Sequence, residues 1–272
     1  MKKNSQLVSI IIPTKNSKIF LQACLESLKK QTYKNIEIIV VDNSSTDTTV
    51  AIAKKYTRNV FNKQPERSAQ RNFGAKKARG KYIFFADSDM VSSPNVIKEC
   101  VSKLETNHDM KALIIPEESF GEGFWAECKH LERSFYLGIS FMEAARFFDK
   151  ETFLKVKGYD ESLVSGEDWY LSQKLEKIGK IGRINAKIFH NEGKLTYLNS
   201  VSKKYYYAKH FAKYVNLKDN LHLKNQISIG TRYLLFFAHP KKLFRNPILS
   251  IGMLFLKTSE FAAGGVGYLL SK

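Results

Sequence analysis

Residues 81–90 read KYIFFADSDM, an apolar run that stops abruptly at Asp87 and Asp89. A continuous apolar stretch of this length, bounded by turn-forming residues, is the pattern of a strand buried on both faces. Two more stretches have the same character, LVSIII at 7–12 and IEIIVV at 36–41, the second followed at once by Asp42. A fourth, KALII, stands at 111–115, and a short strand is expected near Val60. Helical patterns lie between them. Leu21, Cys24, Leu25 and Leu28 recur at the spacing of one helix face. Residues 48–56 and 68–78 read as helices, with Gly80 as the C-cap of the second, and Pro94 opens another.

Strands alternating with helices imply right-handed βαβ units, hence an α/β fold with a mainly parallel, Rossmann-like sheet and helices on both faces. Ligands of such sheets bind beyond the carboxyl ends of the strands. Asp42, Asp87 and Asp89 are predicted to lie at that edge. The second half is more mixed. Residues 121–137 read as one amphipathic helix, 146–149 as a short strand, 167–178 as a helix with acids at its start, and 182–189 as a strand ending at His190. Neither an internal repeat nor a low-complexity linker interrupts the chain.

The 272 residues, 43% of them hydrophobic, suffice for a real core, which excludes a disordered chain. Their formal charge is +18, which suits an anionic partner such as nucleotide phosphates or an anionic membrane surface. More than half of that excess falls in 201–272, where twelve Lys or Arg face only Asp219 and Glu260. Cys24, Cys100 and Cys128 are scattered and odd in number, so neither a disulfide framework nor a zinc site is indicated and a reducing compartment fits. The N-terminal lysines precede an apolar run too short for a signal peptide, and Pro13 ends it.

Asp-x-Asp after a buried strand offers hard oxygen ligands for Mg²⁺ or Mn²⁺, ions that usually hold substrate phosphates as well. Alone the motif is common, and it also suits a turn before Pro94. Its company is specific. SIIIPTKN at 9–16, VVDNSSTD at 40–47, RNFGAKKARGKYIFFADSDM at 71–90 and GEDWYL at 166–171 occur in this order. Together, over roughly residues 7–192, they resemble the family 2 glycosyltransferases of GT-A fold.

That resemblance implies transfer of a sugar from a nucleotide-diphosphate donor, UDP- or GDP-linked, with inversion at the anomeric carbon and a divalent cation as cofactor. Thr14 stands where the family's first loop contacts the nucleotide, and Asp42 matches the acid that bonds the base. Arg71 lies in the segment flanking the nucleotide. Asp87 matches the residue contacting the ribose, and Asp89 the one coordinating the metal. Asp168 matches the catalytic base, and His190 stands where some members supply a further metal ligand. Glu167 is expected to support the site or touch the acceptor. Trp169 either belongs to the core or stacks on the acceptor. Asp47 reads as a helix cap.

The resulting division is a catalytic domain at 1–200 and a basic, aromatic-rich helical tail at 201–272. KKYYYAKHFAKY at 203–214 and RYLLFFAHPKKLFRNP at 232–247 interleave aromatic and basic residues. Two apolar stretches of ten follow, 247–256 and 261–270, divided by Lys257 and Glu260. A spanning helix needs about 20 apolar residues, so helices lying in the membrane interface are expected. A helical cap on the enzyme, an oligomer interface and a single span remain open alternatives. No RRM-like or KH-like signature accompanies the tyrosines, so nucleic acid is not expected as a partner. The acceptor is expected to be a hydroxyl of a lipid-linked or cell-envelope glycan at the cytoplasmic face of a membrane. A polyprenyl-phosphate sugar synthase and a non-catalytic nucleotide-binding module are the alternatives.

Overall fold

The computed structural model describes residues 5–217 and 220–270. Lys218, Asp219 and Lys272, which contribute to the tail's charge, and the N-terminal Lys2 and Lys3 lie outside the described residues. The elements run β1 (Val8–Thr14), α1 (Leu21–Lys29), β2 (Ile36–Asp42), α2 (Thr49–Tyr56), β3 (Val60–Asn62), α3 (Arg67–Lys77), β4 (Tyr82–Phe85) and β5 (Met90–Ser92). Then come α4 (Val96–Thr106), β6 (Met110–Ile114), β7 (Glu117–Glu122), α5 (Phe124–Ser134), β8 (Ala145–Asp149), α6 (Lys150–Lys155) and α7 (Glu167–Glu176). The chain closes with β9 (Lys180–Arg183), β10 (Ile188–Lys194), α8 (Tyr197–Val215), α9 (Leu223–Ile227), α10 (Ile229–Phe237), α11 (Pro240–Leu243) and α12 (Pro247–Leu269).

Two compact units form. The first takes the chain up to Glu117, Ala144–Glu161 and Tyr170–Phe189; the second takes Glu118–Glu143, Ser162–Trp169 and the chain from His190 onward. The first unit is built on a seven-stranded sheet of order β3-β2-β1-β4-β8-β6-β9. β1 pairs in parallel with β2 and β4, β2 with β3, and β6 with β9, whereas β8 runs antiparallel to both neighbours. The sheet is therefore mainly parallel, as expected. All seven residues of β1 are buried. Val8, Ile10 and Ile12 join the core of Leu21, Cys24, Leu25, Leu28 and Phe84 on one face, and Ile11 joins Ile39, Val41, Phe85 and Phe148 on the other. The two-residue alternation of a pleated strand produces that division.

Three local readings are corrected. Gly80 does not cap α3, which ends at Ala78 in an extended conformation. A Cβ at Gly80 would sit 2.7 Å from the Leu7 carbonyl oxygen and the Ser9 amide, so glycine is required there by close backbone approach. Residues 121–137 are not one helix, because β7 runs to Glu122 and α5 begins at Phe124. Residues 182–189 are not one strand. The Glu99 carboxylate accepts the Asn185 and Ala186 amides, each at 2.9 Å, and β9 gives way to β10 there. His190 consequently lies inside β10 rather than at its end.

The second unit is mainly helical, with β7 and β10 side by side. Its core gathers Cys128 and Phe135, Phe236 of α10, and Met253 and Leu256 of α12. The apolar stretches expected to be divided at Lys257 and Glu260 form the single 23-residue helix α12. Both charges are buried and paired. Lys129 donates to Glu132 at 2.7 Å and to Glu260 at 2.9 Å, and Lys257 contacts Glu132 at 2.7 Å and Glu260 at 3.3 Å. Ser200 Oγ also donates to Glu260, at 2.7 Å. Among the described residues no helix is long and apolar enough to cross a membrane.

Candidate active site

The parallel register of β1, β2 and β4 decides which side chains meet. Thr14 pairs with Asp42 at the ends of β1 and β2, and Ile11 with Phe85 at the end of β4. All three strands thus release their chains at one edge, where Thr14, Asp42, Asp87 and Asp89 stand. Thr14 Oγ1 donates to Asp42 Oδ1 at 2.7 Å. The Ser45 hydroxyl and amide donate to the same carboxylate at 2.6 and 2.7 Å. Asp42 is thus held by three hydrogen bonds, and it is buried. Asp47 accepts the Thr49 amide at 2.9 Å just before α2, whose N-cap position is Thr48 and has no side-chain cap bond.

Asp87 is gripped from two sides. Arg71 Nη2 donates to its Oδ1 at 2.7 Å and Arg146 Nη1 to its Oδ2 at 3.1 Å. Arg71 is wholly buried on α3, its guanidinium 5.0 Å from the Tyr159 ring centroid. Burial opposes ionisation of Asp87, but the guanidinium groups of Arg71, Arg146 and Arg67 prevail and hold its carboxyl well below the usual carboxylate range.

Arg146 is a functional candidate the sequence pattern did not offer. Because β8 is antiparallel to β4, with Phe84 opposite Phe147, its first residues lie at the edge where β4 ends. Arg146 also donates to Glu117 Oε2 at 3.0 Å, which fixes its guanidinium plane. A signal existed only in the strand's direction, which apolar runs do not encode. Replacing Arg146 with methionine is expected to weaken nucleoside diphosphate binding about tenfold, since a hydrogen bond to a charged group is worth ~1.5–3 kcal/mol. Isothermal titration would show it, and an unchanged dissociation constant would remove Arg146 from the site.

Residues 167–169 belong to the second unit and form the first turn of α7. Glu167 is buried, whereas Asp168 and Trp169 are half-buried. Carboxylates suit this end of a helix, where peptide dipoles leave partial positive charge. Gly166 precedes them with φ +82°, and a Cβ there would lie 2.6 Å from the Tyr214 ring, so only glycine fits. The Trp169 indole N–H donates to the Met142 carbonyl at 3.2 Å, and its ring lies 6.0 Å from that of Tyr214. Trp169 is therefore partly committed to packing. His190 Nδ1 stands 3.5 Å from Glu192 Oε1, which also accepts from Ser119 Oγ at 3.0 Å.

Among the described residues no three of His, Cys, Asp and Glu gather into a cage for a metal ion. The donors do suit a cation carried by phosphates. Mg²⁺ at nucleotide sites takes one or two carboxylates plus phosphate oxygens and water. Both oxygens of Asp87 already serve arginines, which leaves Asp89, half-buried two residues on, as the better matched carboxylate.

The fold and the sequence have relatives. GlyG, a glycosyltransferase of Streptococcus pneumoniae, is 34% identical over 108 residues, 37% of this chain and 36% of GlyG; the chain thus spans about a third of that relative. An uncharacterized glycosyltransferase of Haemophilus influenzae is 27% identical over 278 residues, 93% of this chain and 92% of that protein. The solved mannosyltransferase PcManGT of Pyrobaculum calidifontis, in complex with GDP-Man and Mn²⁺, superposes with a TM-score of 0.65 at 17% identity, covering 99% of this chain and 89% of that one. This last likeness shows a shared GT-A fold. The sequence profile described as Glycosyl transferase family 2 matches residues 9–161, more than half of the chain, which therefore belongs to the family 2 glycosyltransferases.

Proposed function

We propose that this chain is an inverting glycosyltransferase that moves a sugar from a UDP- or GDP-linked donor to a hydroxyl of a lipid-linked or cell-envelope glycan. The observation that carries the reading is Asp87 clamped by Arg71 and Arg146 at the carboxyl edge of the sheet. That edge is where α/β sheets bind nucleotides.

In this reading Thr14 and Asp42 receive the nucleotide base, Arg71 flanks the nucleotide, and Asp87 takes the ribose hydroxyls. Asp89, with His190, would hold Mg²⁺ or Mn²⁺. The chemistry a bound cation supplies is neutralisation of the charge that gathers on the departing phosphate oxygens. Asp168 takes the proton of the acceptor hydroxyl as its oxygen bonds to the anomeric carbon. The bond from that carbon to the donor phosphate breaks on the opposite face, which inverts the centre. Glu167 supports Asp168 and Trp169 borders the acceptor. The basic, aromatic tail at 201–272 suits an acceptor presented at an anionic membrane surface.

A thermal-shift panel of UDP- and GDP-sugars, with and without Mn²⁺, tests the donor class. A ligand bound only by the folded state at a hundred times its dissociation constant stabilises by ~2.7 kcal/mol. For a chain of this size that corresponds to roughly 5–10 °C. Sugars of one base are expected to raise the melting temperature by that amount, more with Mn²⁺. If no nucleotide sugar moves it under either condition, the proposed function is wrong.

A further inference from the structure

The second unit carries an apolar surface that its own fold leaves uncovered. On α12, Ile248, Ile251 and Phe255 recur at i, i+3 and i+7 and are 72%, 68% and 55% exposed; Phe244, in the turn between α11 and α12, is 66% exposed. Leu234 and Phe237 on α10 are exposed as well. The opposite side of α12, with Met253, Leu256, Lys257 and Glu260, is buried. Tyr233 of α10 meets Thr258 of α12 with their hydroxyls 2.6 Å apart, so the two helices are held side by side.

The exposed charges carried by α9, α11 and the turn before α12 are positive. Lys224, Lys241 and Arg245 are exposed. The only acid described between 220 and 270 is Glu260, and it is spent inside the unit on Lys129 and Lys257. A segment with large apolar residues outward, exposed cations and no exposed carboxylate of its own suits an anionic lipid surface, even with Glu127 exposed on the neighbouring α5 and Glu118 acting on Lys242. Its side chains enter the boundary between headgroups and acyl chains while the cations meet anionic headgroups. A water-facing surface would gain nothing from Phe244, Ile248 and Ile251.

We propose that Phe244, Ile248 and Ile251, with Lys241 and Arg245, dock the second unit on an anionic lipid bilayer. This deepens the proposed function by naming the surface that would meet the acceptor's membrane, and it rests on that reading for its purpose but not for its evidence. Attachment combines insertion of a few side chains with electrostatics, so it is reversible and salt-sensitive.

The test is co-sedimentation of the full chain with phosphatidylcholine vesicles that contain or lack about a third phosphatidylglycerol. The wild type is expected to bind the anionic vesicles and not the neutral ones. Each Lys or Arg near such a surface contributes roughly fivefold in partitioning. The double variant K241E/R245E should therefore lose at least 25-fold, and the triple variant F244S/I248S/I251S at least tenfold. Because all five side chains are half-buried or exposed, melting temperatures should stay within about 2 °C of wild type. Equal partitioning of both variants and wild type overturns the proposal. So does absence of vesicle binding together with a dimer in sedimentation velocity that F244S/I248S/I251S dissolves, which would make the face a contact between copies. Donor-sugar turnover, followed separately without vesicles, reports on the proposed function alone.

Discussion

Replacing Asp168 with asparagine is expected to cut sugar transfer by about 10²–10⁴-fold, the contribution of a positioned general base. Asparagine keeps the shape and can still face the first turn of α7, but it cannot accept a proton. Nucleotide binding should be nearly unchanged, because the groups assigned to the nucleotide lie on β1, β2, α3, β8 and the loop after β4, not on α7. The measurement is kcat for transfer beside the dissociation constant of the nucleoside diphosphate. A loss confined to kcat supports Asp168 as the base. Full activity in the variant would show that the proton leaves by another route, and a parallel loss of binding would show that Asp168 serves the donor instead.

The second large effect is on stability. Glu260→Gln removes one member of the buried quartet of Lys129, Glu132, Lys257 and Glu260 and leaves two ammonium groups sharing one carboxylate. Breaking a buried ion pair in this way costs about 3–5 kcal/mol, to be read as a lower denaturation midpoint. Joint replacement of Lys257 by methionine and Glu260 by leucine should recover part of that loss, since apolar residues of similar volume carry no desolvation penalty. The quartet also fixes a pH window. Burial pushes both carboxyls up, but the lysines outweigh it and hold Glu132 and Glu260 below the ordinary value of 4.5. Burial pushes the ammonium groups down, but the carboxylates hold Lys129 and Lys257 above 10.5. Groups depressed on folding contribute above their unfolded value, and groups raised on folding contribute below theirs. The quartet's stabilisation is thus complete between those two values. It fades as pH falls through the folded carboxyl values or rises through the folded lysine values, and Glu260→Gln should flatten both flanks. An unchanged midpoint in the single variant would mean that the quartet stabilises nothing.

The first unit was readable because its signals are local. The all-apolar runs of β1 and β2 and the Leu21–Leu28 spacing of α1 each state their own structure, and the order of strands and helices states the sheet. What escaped was set by distant partners. The direction of β8, and with it the role of Arg146, depends on β4 some sixty residues earlier. The end of β9 depends on a carboxylate in α4. Lys257 and Glu260 looked like an interruption between two apolar segments because their partners stand on α5. At the site, the acids after β2 and β4 were legible from position and motif, whereas the arginine clamp on Asp87 was visible only in three dimensions.

Lys129 and Glu260 are 131 positions apart. During synthesis at roughly 5–20 residues per second, helix α5 would emerge about 7–26 s before the carboxylate that completes its charge pairing. Throughout that interval Lys129 and Glu132 must stay hydrated, and the apolar side of α5 has no α12 to lie against. The second unit is therefore expected to mature only once α12 has been made, with a nascent chain that offers chaperones a sticky, half-assembled helix.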